Sequence, residues 1–263
     1  MVTPIITLTT DWGSSDYFGG MLKGRLYSRI EGVRVVDICH DINRYDLMET
    51  SYIVRNACLG FPPGTIHLID VLSEPPFVVV HYKEQYYICS DNGVPYSVFG
   101  DKYSEAVRLN IDRSDERFYT FSAFTIFCQV ACELVRGTPL AEIGTPVDQL
   151  VKGSSIGHHQ EDDGSLTVYV IYIDSYGNAN LSIRYEEFEA IRRGRPFVLR
   201  VRDLTVNRMS HSYEDYELTD KNARGLMLTV SVTGDLQLAL PHKSVENLVG
   251  ITPLSMVRIQ FQD

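Results

Sequence analysis

Residues 4–24 read PIITLTTDWGSSDYFGGMLKG, and this stretch joins an apolar strand, an acidic turn and a helix. Ile5 and Ile6 give its first part the apolar character of a buried strand. Residues 17–30 then place apolar side chains at helical spacing. A strand that leads through a short turn into a helix is typical of an α/β layer. We expect Asp11, at the end of this strand, to face a pocket, with glycine letting the backbone close up behind it.

The same alternation continues through the first half of the chain. The predicted elements are strand 33–42, helix 46–61, strand 65–70, hairpin strands 77–82 and 85–90, and helix 124–137. We therefore predict an α/β N-terminal domain with a largely parallel sheet between helices. Ligands of such sheets bind beyond the carboxyl ends of the strands, where Asp11 and Asp70 both lie.

The pattern changes at residues 153–165, a stretch rich in Gly, Ser, His and Asp that we predict to be a linker. Beyond it, short alternating strands are separated by turn residues, with one helical segment, RYEEFEAIRRG, at 184–194. This pattern predicts an all-β, barrel-like C-terminal domain. The predicted organisation is a first domain over 1–152 and a second domain over 166–263.

The net charge and the lengths of the apolar runs argue against nucleic-acid-binding and membrane-spanning proteins. The net charge of −10 and the lack of a Lys/Arg-rich run argue against nucleic acid as a partner. No apolar run approaches the roughly 20 residues of a membrane span. The first residues, Met-Val-Thr-Pro-Ile-Ile, lack the basic and long apolar regions of a secretory signal. We expect a cytoplasmic protein that does not bind membranes.

The cysteines and histidines do not indicate a metal site. Five cysteines, an odd number without a Cys-x-x-Cys motif, are expected to be free buried thiols. Cys128 and Cys132 lie one helical turn apart and could share a ligand, but we interpret them as a packed pair. The seven histidines show no metal-ligand spacing, and His158 and His159 belong to the polar connector.

The segment DSYGN at residues 174–178 has two interpretations. It could be a plain hairpin turn, because Gly177 can adopt positive φ and Asn178 tolerates the left-handed conformation. Alternatively, Asp174 and Asn178 present a carboxylate and an amide to a polar ligand, since such groups pair with a base edge or with hydroxyl groups.

Five motifs of the chain resemble, in order, the landmarks of one family: ITLTTDWGSSDYFGGMLKG, VVDICHDI, PPGTIHLID, SDNG and IDSYGN. This family is the S-adenosylmethionine (SAM) hydroxide adenosyltransferases, or SAM hydrolases, related to the fluorinases and chlorinases. The resemblance extends over nearly the whole chain. It implies a homotrimer in which SAM lies between the N-terminal domain of one subunit and the C-terminal domain of its neighbour. Water, hydroxide or halide would attack C5′ of the ribose and displace methionine, with SAM as substrate and no cofactor.

The resemblance also implies roles for individual residues. Asp11 would accept hydrogen bonds from the ribose hydroxyls, and Tyr45 would form an aromatic wall over the substrate. Asp174 would meet the methionine amine in a charge-assisted contact. Tyr176 would pack near the adenine, to which Asn178 would donate or accept a hydrogen bond. For each residue the alternative is a structural role as a strand-end cap, a core aromatic or a turn residue.

The chain departs from the family pattern around the nucleophile. Hydroxide-using members share an Asp–Arg–His trio that is thought to orient and activate water. Here Asp70 is retained in IDVLSEPPFVVV, but no Arg follows it, and Ser122 stands in place of the His. Ala123 replaces the serine of the halogenases, and Pro241 stands where the family usually has Asn, which removes a backbone donor.

Two hypotheses follow. The first is an enzyme that hydrolyses SAM to adenosine and L-methionine, slowly or in altered form, with Asp70 and Ser122 helping to place the water. The second is a catalytically degenerate protein that binds SAM, adenosine or another nucleoside. A different reaction on a related substrate is also compatible with the altered motifs.

Overall fold

The computed structural model describes residues 3–110, 121–153, 156–218 and 224–262. The chain divides into two compact units, Met1–Ser155 and Ile156–Asp263, each with its own sheet. This boundary falls within the predicted linker 153–165, of which residues 154 and 155 lie outside the described residues.

The first unit has the alternating elements that its sequence predicts. They are β1 (Ile5–Thr10), α1 (Phe18–Arg29), β2 (Arg34–Cys39), α2 (Leu47–Ala57), β3 (Ile66–Asp70), β4 (Phe77–Tyr82), β5 (Gln85–Ser90), α3 (Val94–Phe99), β6 (Glu105–Leu109), α4 (Cys128–Arg136), α5 (Leu140–Ile143) and β7 (Gly144–Pro146). Helix α2 begins where the Asp46 side chain accepts the Glu49 N–H at 2.9 Å. Helix α4 ends at Gly137, whose φ of 82° is the left-handed value that favours glycine.

The sheet of the first unit is mixed rather than largely parallel. Its strand order is β2-β1-β3-β5-β4-β6-β7, and only the pairs among β2, β1, β3 and β5 are parallel. The remaining pairs are antiparallel. The change of direction arises at the predicted hairpin, where Lys83 and Glu84 both have positive φ, 49° and 59°, as a tight two-residue turn requires.

Helices cover both faces of this sheet, as predicted for an α/β layer. Leu22 and Leu26 of α1 pack with Leu68 of β3 in one apolar cluster that also holds α4. Val54 of α2 and Ile69 of β3 belong to a second cluster on the opposite face. Neighbouring residues of β3 thus enter different cores, because successive strand side chains point to opposite faces.

A buried histidine lies within this second face. His67 in β3 has its Nδ1 2.7 Å from Thr7 Oγ1, and its ring stacks on Tyr87 with centroids 4.4 Å apart. Burial lowers the pKa of His67 to about 3, although the neighbouring Gln85 side chain acts in the opposite direction. The folded protein therefore holds this imidazole neutral.

We expect His67 to make folding less favourable in acid. Between about pH 6.5 and 3 the unfolded chain binds a proton at this site that the folded chain does not, so the free energy of unfolding falls as the pH falls. The slope from this single group approaches about 1.4 kcal/mol per pH unit. His67→Asn should show a shallower pH dependence in urea unfolding, whereas His211→Asn, at an exposed position, should match the wild type. Equal slopes for all three proteins would contradict this assignment.

The second unit is an antiparallel sheet that curls into a nearly closed barrel. Its elements are β8 (His159–Gln160), β9 (Leu166–Ile173), β10 (Ala179–Arg184), α6 (Tyr185–Arg192), β11 (Phe197–Val201), β12 (Leu204–Val206), β13 (Met227–Val230), β14 (Asp235–Ala239), α7 (Val245–Val249) and β15 (Met256–Phe261). The order is β12-β11-β15-β9-β10-β14-β13, with β8 beside β9. A bridge between Met209 and Leu228 brings the chain beyond β12 to the other edge strand. One apolar cluster fills the interior.

The remaining fold-level predictions concern cysteines and membrane spans. All five cysteines are free, and Cys128 and Cys132 are buried in the same apolar cluster. None of the helices in the described part of the chain combines the length and apolar character needed to cross a membrane.

Candidate functional site

A cavity of about 390 Å³ opens in the first unit at the carboxyl ends of β1 and β3. Its lining residues are Asp11, Trp12, Asp16, Phe18, Arg44, Tyr45, Asp70, Leu72, Ser73, Glu74, Phe121 and Ser122. Four of the residues predicted for the site, Asp11, Tyr45, Asp70 and Ser122, thus line one cavity although they are far apart in the sequence. This is the edge at which α/β sheets bind ligands.

Asp11 is tied to the loop that precedes α2. Its Oδ2 accepts a hydrogen bond of 3.0 Å from the backbone N–H of Tyr45. Tyr45 has a φ of 66°, an uncommon value for an aromatic residue, and its side chain is 65% exposed. Strained backbone of this kind persists only where its surroundings enforce it, and it recurs at ligand sites. The contact with Asp11 is therefore one cause of the position of Tyr45 at the cavity.

Asp70 is the last residue of β3 and is only 4% exposed. Its Oδ1 is buried and has no hydrogen-bond partner among the described residues. Burial raises the pKa of Asp70 to about 6, and the nearby Asp11 carboxylate raises it further. A carboxyl group with this pKa is a better proton acceptor near neutral pH than an ordinary aspartate.

Two serines accompany Asp70 in the lining of the cavity. Ser73, which sequence reasoning missed, has a buried Oγ without a hydrogen-bond partner in the described part of the chain. Ser122 is 3% exposed, and its carbonyl accepts the N–H of Phe127 at 3.0 Å, in the wide turn of a π-helix that spans Ala123–Phe127. Single π turns inside helices are frequent at functional sites. The predicted helix 124–137 therefore begins with a turn of a different kind.

Sequence reasoning also missed Trp12, which forms an aromatic wall of the cavity. Its ring stacks with those of Phe124 and His40, with centroid distances of 5.5 Å and 6.2 Å and interplanar angles of 16° and 15°. Phe121 contacts the Trp12 ring edge-on at 5.9 Å. One signal was present in the sequence, because Trp12 is the single tryptophan of the chain and follows Asp11 directly.

The described lining of this cavity carries more negative than positive charge. Asp16 and Glu74 add two exposed carboxylates to those of Asp11 and Asp70, whereas Arg44 is the one basic residue among the described lining residues. A cleft lined mainly by one sign of charge attracts ligands of the opposite sign. The cavity therefore favours a cationic ligand.

In the second unit, Asp174 holds the DSYGN turn together. Its Oδ1 accepts the backbone N–H groups of Tyr176 and Asn178, both at 2.9 Å. Its Oδ2 accepts the Asn178 side-chain amide at 3.0 Å and the Gln237 amide at 3.3 Å. These four hydrogen bonds agree with the interpretation of DSYGN as a turn. All four donors belong to the second unit. The predicted contact with a methionine amine stays a prediction.

Tyr176 and Asn178 line a separate cavity of about 910 Å³ in the second unit. The other lining residues are Ser175, Tyr213, Glu214, Leu240, Pro241, His242, Lys243 and Ser244, so Asp174 is outside the described wall. Tyr176 is 82% exposed, and Tyr213, which sequence reasoning missed, donates its hydroxyl to Gln237 at 3.0 Å. An open apolar surface with two tyrosines suits a flat aromatic ligand.

Gly177 allows the DSYGN turn to approach α7. Its φ is 81°, and a Cβ at this position would overlap Ser244, while its carbonyl accepts the Val245 N–H at 2.8 Å. We expect Gly177→Ala to lower the free energy of unfolding by about 2 to 4 kcal/mol, from left-handed strain and from the overlap. Gly164→Ala is the matched control, because Gly164 has a φ of 76° but no neighbour near its Cβ. Equal losses in chemical unfolding would show that the approach to Ser244 contributes nothing.

Comparisons with known proteins agree with this two-unit arrangement. A family model described as the SAM hydroxide adenosyltransferase N-terminal domain matches residues 6–144, and the C-terminal domain of the same family matches residues 168–258. The chain therefore belongs to the SAM hydroxide adenosyltransferase family. The two matched ranges contain all seven residues predicted for the site.

Individual relatives span much of the chain at low identity. A protein of Methanocaldococcus jannaschii named (R)-S-adenosyl-L-methionine hydrolase is 27% identical over 197 residues, which cover 71% of this chain and 69% of that protein. A protein of the same name from Salinispora tropica is 26% identical over 267 residues, 98% of each. Solved structures share the fold. An uncharacterized conserved protein from Thermotoga maritima has a TM-score of 0.83 at 21% identity, covering 97% of this chain and 99% of its own.

Proposed function

We propose that this protein binds SAM and hydrolyses it to adenosine and L-methionine. The observation that carries the proposal is the buried Asp70 carboxyl group, which has an unpartnered oxygen among the described residues and lines the same cavity as Asp11. Membership of the family and the names of the relatives support a SAM-utilising activity. The finer assignment of reaction and residues is our inference.

The charge of the first cavity supports a sulfonium substrate. SAM carries a positive sulfur next to the carbon that would be attacked, and an acidic lining stabilises such a cation. The same carboxylates would repel a halide ion, which favours neutral water as the nucleophile. The protein is therefore expected to form adenosine and no 5′-halogenated nucleoside.

The chemical step requires little from the protein beyond position and a proton acceptor. The water oxygen attacks C5′, the C5′–S bond breaks, and its electron pair stays on sulfur, which leaves as the neutral thioether of methionine. No general acid is needed for this leaving group. Ionised Asp70 accepts the proton that the water loses, and the hydroxyl groups of Ser73 and Ser122 help to orient the water.

The binding residues would divide the substrate between them. Asp11 accepts hydrogen bonds from the ribose hydroxyls, and the Tyr45 ring covers the substrate. In the second unit, Tyr176 and Asn178 contact the adenine. Asp174 acts on the methionine end directly or by holding the turn on which Tyr176 stands.

The assembly implied by the family resemblance remains part of the proposal. A homotrimer, with each ligand contacted by two subunits, should give a light-scattering mass about three times the 29.8 kDa of one chain. A mass near that of a single chain would remove this part of the proposal. Location in the cytoplasm likewise remains a prediction.

Turnover of SAM is the direct test. We expect purified protein incubated with (R)-SAM or (S)-SAM to release adenosine and methionine in equal amounts, with preference for the (R) form suggested by the names of the relatives. In ¹⁸O-labelled water the label should enter the 5′-hydroxyl group of adenosine. If neither epimer of SAM is consumed and no adenosine forms above a buffer blank, the hydrolase function is excluded.

A second candidate function is binding without turnover. It is favoured by the departure from the family trio, because no Arg follows Asp70 in its loop and Ser122 stands in place of the His. Arg44, on a different loop, is the one basic residue in the described lining. A binding protein should show a higher melting temperature with SAM or adenosine, by the linkage between binding and folding, while the SAM stays intact. Melting curves unchanged by either ligand would exclude both functions.

A further inference from the structure

A chain of polar side chains stands behind the turn that carries Asp11 and Trp12. Thr10 is the last residue of β1 and is 1% exposed, and its Oγ1 lies 2.7 Å from Nδ1 of His40. The other ring nitrogen, Nε2, lies 3.1 Å from Oδ1 of Asp37, within ion-pairing distance although not aligned for a hydrogen bond. Lys23 of α1 donates to the second oxygen of Asp37.

The direction of these contacts can be derived from the groups themselves. A carboxylate only accepts, so the tautomer of His40 that suits Asp37 carries its proton on Nε2. Nδ1 is then an acceptor, and the Thr10 hydroxyl donates to it. Thr10 Oγ1 in turn accepts the backbone N–H of Trp12 at 3.4 Å. This series of contacts thus runs from Asp37 in β2 through His40 and Thr10 to the backbone N–H of Trp12 in the cavity wall.

His40 and Asp41 also contact the turn after β1 through backbone and side-chain hydrogen bonds and through the His40 ring. The carbonyl of His40 accepts the N–H of Gly13 at 2.7 Å, and the carboxylate of Asp41 accepts the N–H of Ser14 at 2.8 Å. The His40 imidazole also stacks on the Trp12 ring, with an interplanar angle of 15°. One histidine therefore contacts the turn through a hydroxyl relay, a carbonyl and a ring face.

We propose that Thr10 and His40 are positioning residues that lock the turn after β1, so that Trp12 forms a fixed wall of the ligand cavity beside Asp11. The identity of the ligand rests on the proposed function, but the positioning itself does not. Neither residue lines the described cavity, so both act through Trp12 and the backbone around it. Loss of the relay should loosen ligand binding more than it slows the chemical step, because Asp70 and Ser122, which are proposed to place the water, are not members of the relay.

The test compares Thr10→Val with Thr10→Ser, because valine removes the hydroxyl and serine keeps it. Trp12 is the only tryptophan, so intrinsic fluorescence reports on this wall directly. We expect Thr10→Val to shift the emission and increase quenching by acrylamide, and to raise KM for SAM by about tenfold or more with little change in kcat. Thr10→Ser should stay close to the wild type, and adding His40→Leu to Thr10→Val should give less than the sum of the two effects.

Further variants keep the test decisive. The Asp37 side chain is 40% exposed, so we expect Asp37→Asn to fold even if Thr10→Val does not, and to move the Trp12 emission in the same direction. Ser104→Ala removes the hydroxyl of another His–hydroxyl pair, with His81, and should leave the emission unchanged. Wild-type emission, quenching and KM in Thr10→Val would overturn the proposal. If the wild type does not turn over SAM, the proposed function fails while the fluorescence comparison still decides the positioning role.

Discussion

Asp70→Asn is expected to slow adenosine formation by orders of magnitude and, at the same time, to make the protein more stable at neutral pH. The amide cannot accept the proton of the attacking water, so turnover should fall by about 10² to 10⁴. The substituted side chain is nearly the same size, so the cavity should keep its shape. Loss of activity with a gain of stability is the signature of a residue kept for chemistry rather than for folding.

The gain of stability follows from the pKa of Asp70. Its pKa rises from 3.8 to about 6 on folding. This carboxyl group therefore favours the folded state fully below about pH 3.8, and that contribution is lost as the pH rises through about 6. A difference of about two pKa units corresponds to about 3 kcal/mol in the free energy of unfolding. Asp70→Asn should raise the free energy of unfolding by about this amount above pH 6 and leave it unchanged below pH 4.

Urea unfolding at about pH 8 and about pH 4 measures this difference. Asp101→Asn is the control, because Asp101 is an exposed carboxylate of the same unit outside the cavity lining. The wild-type kcat/KM should also rise with pH with a midpoint near 6, as ionised Asp70 becomes available in the free protein. An Asp70→Asn protein that turns over SAM at a rate near that of the wild type, or is destabilised at both pH values, would contradict the assigned role.

Asp174→Ala is expected to destabilise the second unit by about 2 to 4 kcal/mol. The substitution removes the acceptor of four hydrogen bonds and leaves the amide groups of Asn178 and Gln237 without that partner. Asn178 and Gln237 are 6% and 5% exposed, so water replaces the lost bonds poorly. Tyr213, which donates to Gln237, should lose its fixed orientation as well.

Chemical unfolding followed by circular dichroism measures the loss, and Asp203→Ala is its control. Asp203 is a 68%-exposed carboxylate of the same unit that pairs with Arg224 at 3.3 Å, so its removal should cost less than about 1 kcal/mol. Binding separates the two roles of Asp174. A direct contact with the methionine amine predicts that Asp174→Ala weakens SAM more than adenosine, whereas a turn-holding role predicts equal losses. Unchanged stability would show that the carboxylate is not needed for the turn.

The positions of most elements in the first unit could be predicted from local sequence, but their directions could not. The apolar patterns and the Gly and Pro stops located β1, α2 and the β4–β5 hairpin, because these signals act over a few residues. The same signals do not state which strands pair. The largely parallel sheet was an extrapolation from the first βα units, and the antiparallel β4, β6 and β7 make the sheet mixed.

The candidate site shows the same division. Resemblance to the family selected Asp11, Tyr45, Asp70 and Ser122, which lie in four separate segments and line one cavity. Trp12 and Ser73 were missed because their signals are a stacking environment and a buried hydroxyl group, neither of which is encoded by spacing. For Asp174 the sequence left two interpretations open; the hydrogen bonds show that its carboxylate holds the turn, and its contact with a ligand stays a prediction.

The sequence by itself determined the α/β unit, the β-rich unit and the residue types available for chemistry, because apolar periodicity, turn residues and motif order are properties of neighbouring positions. Only the tertiary structure decided the mixed sheet, the burial that raises the pKa of Asp70 and the relay from Asp37 through His40 to Thr10. These features depend on pairing and desolvation between residues that are distant in the chain, and desolvation is set by the whole packed unit rather than by any one segment.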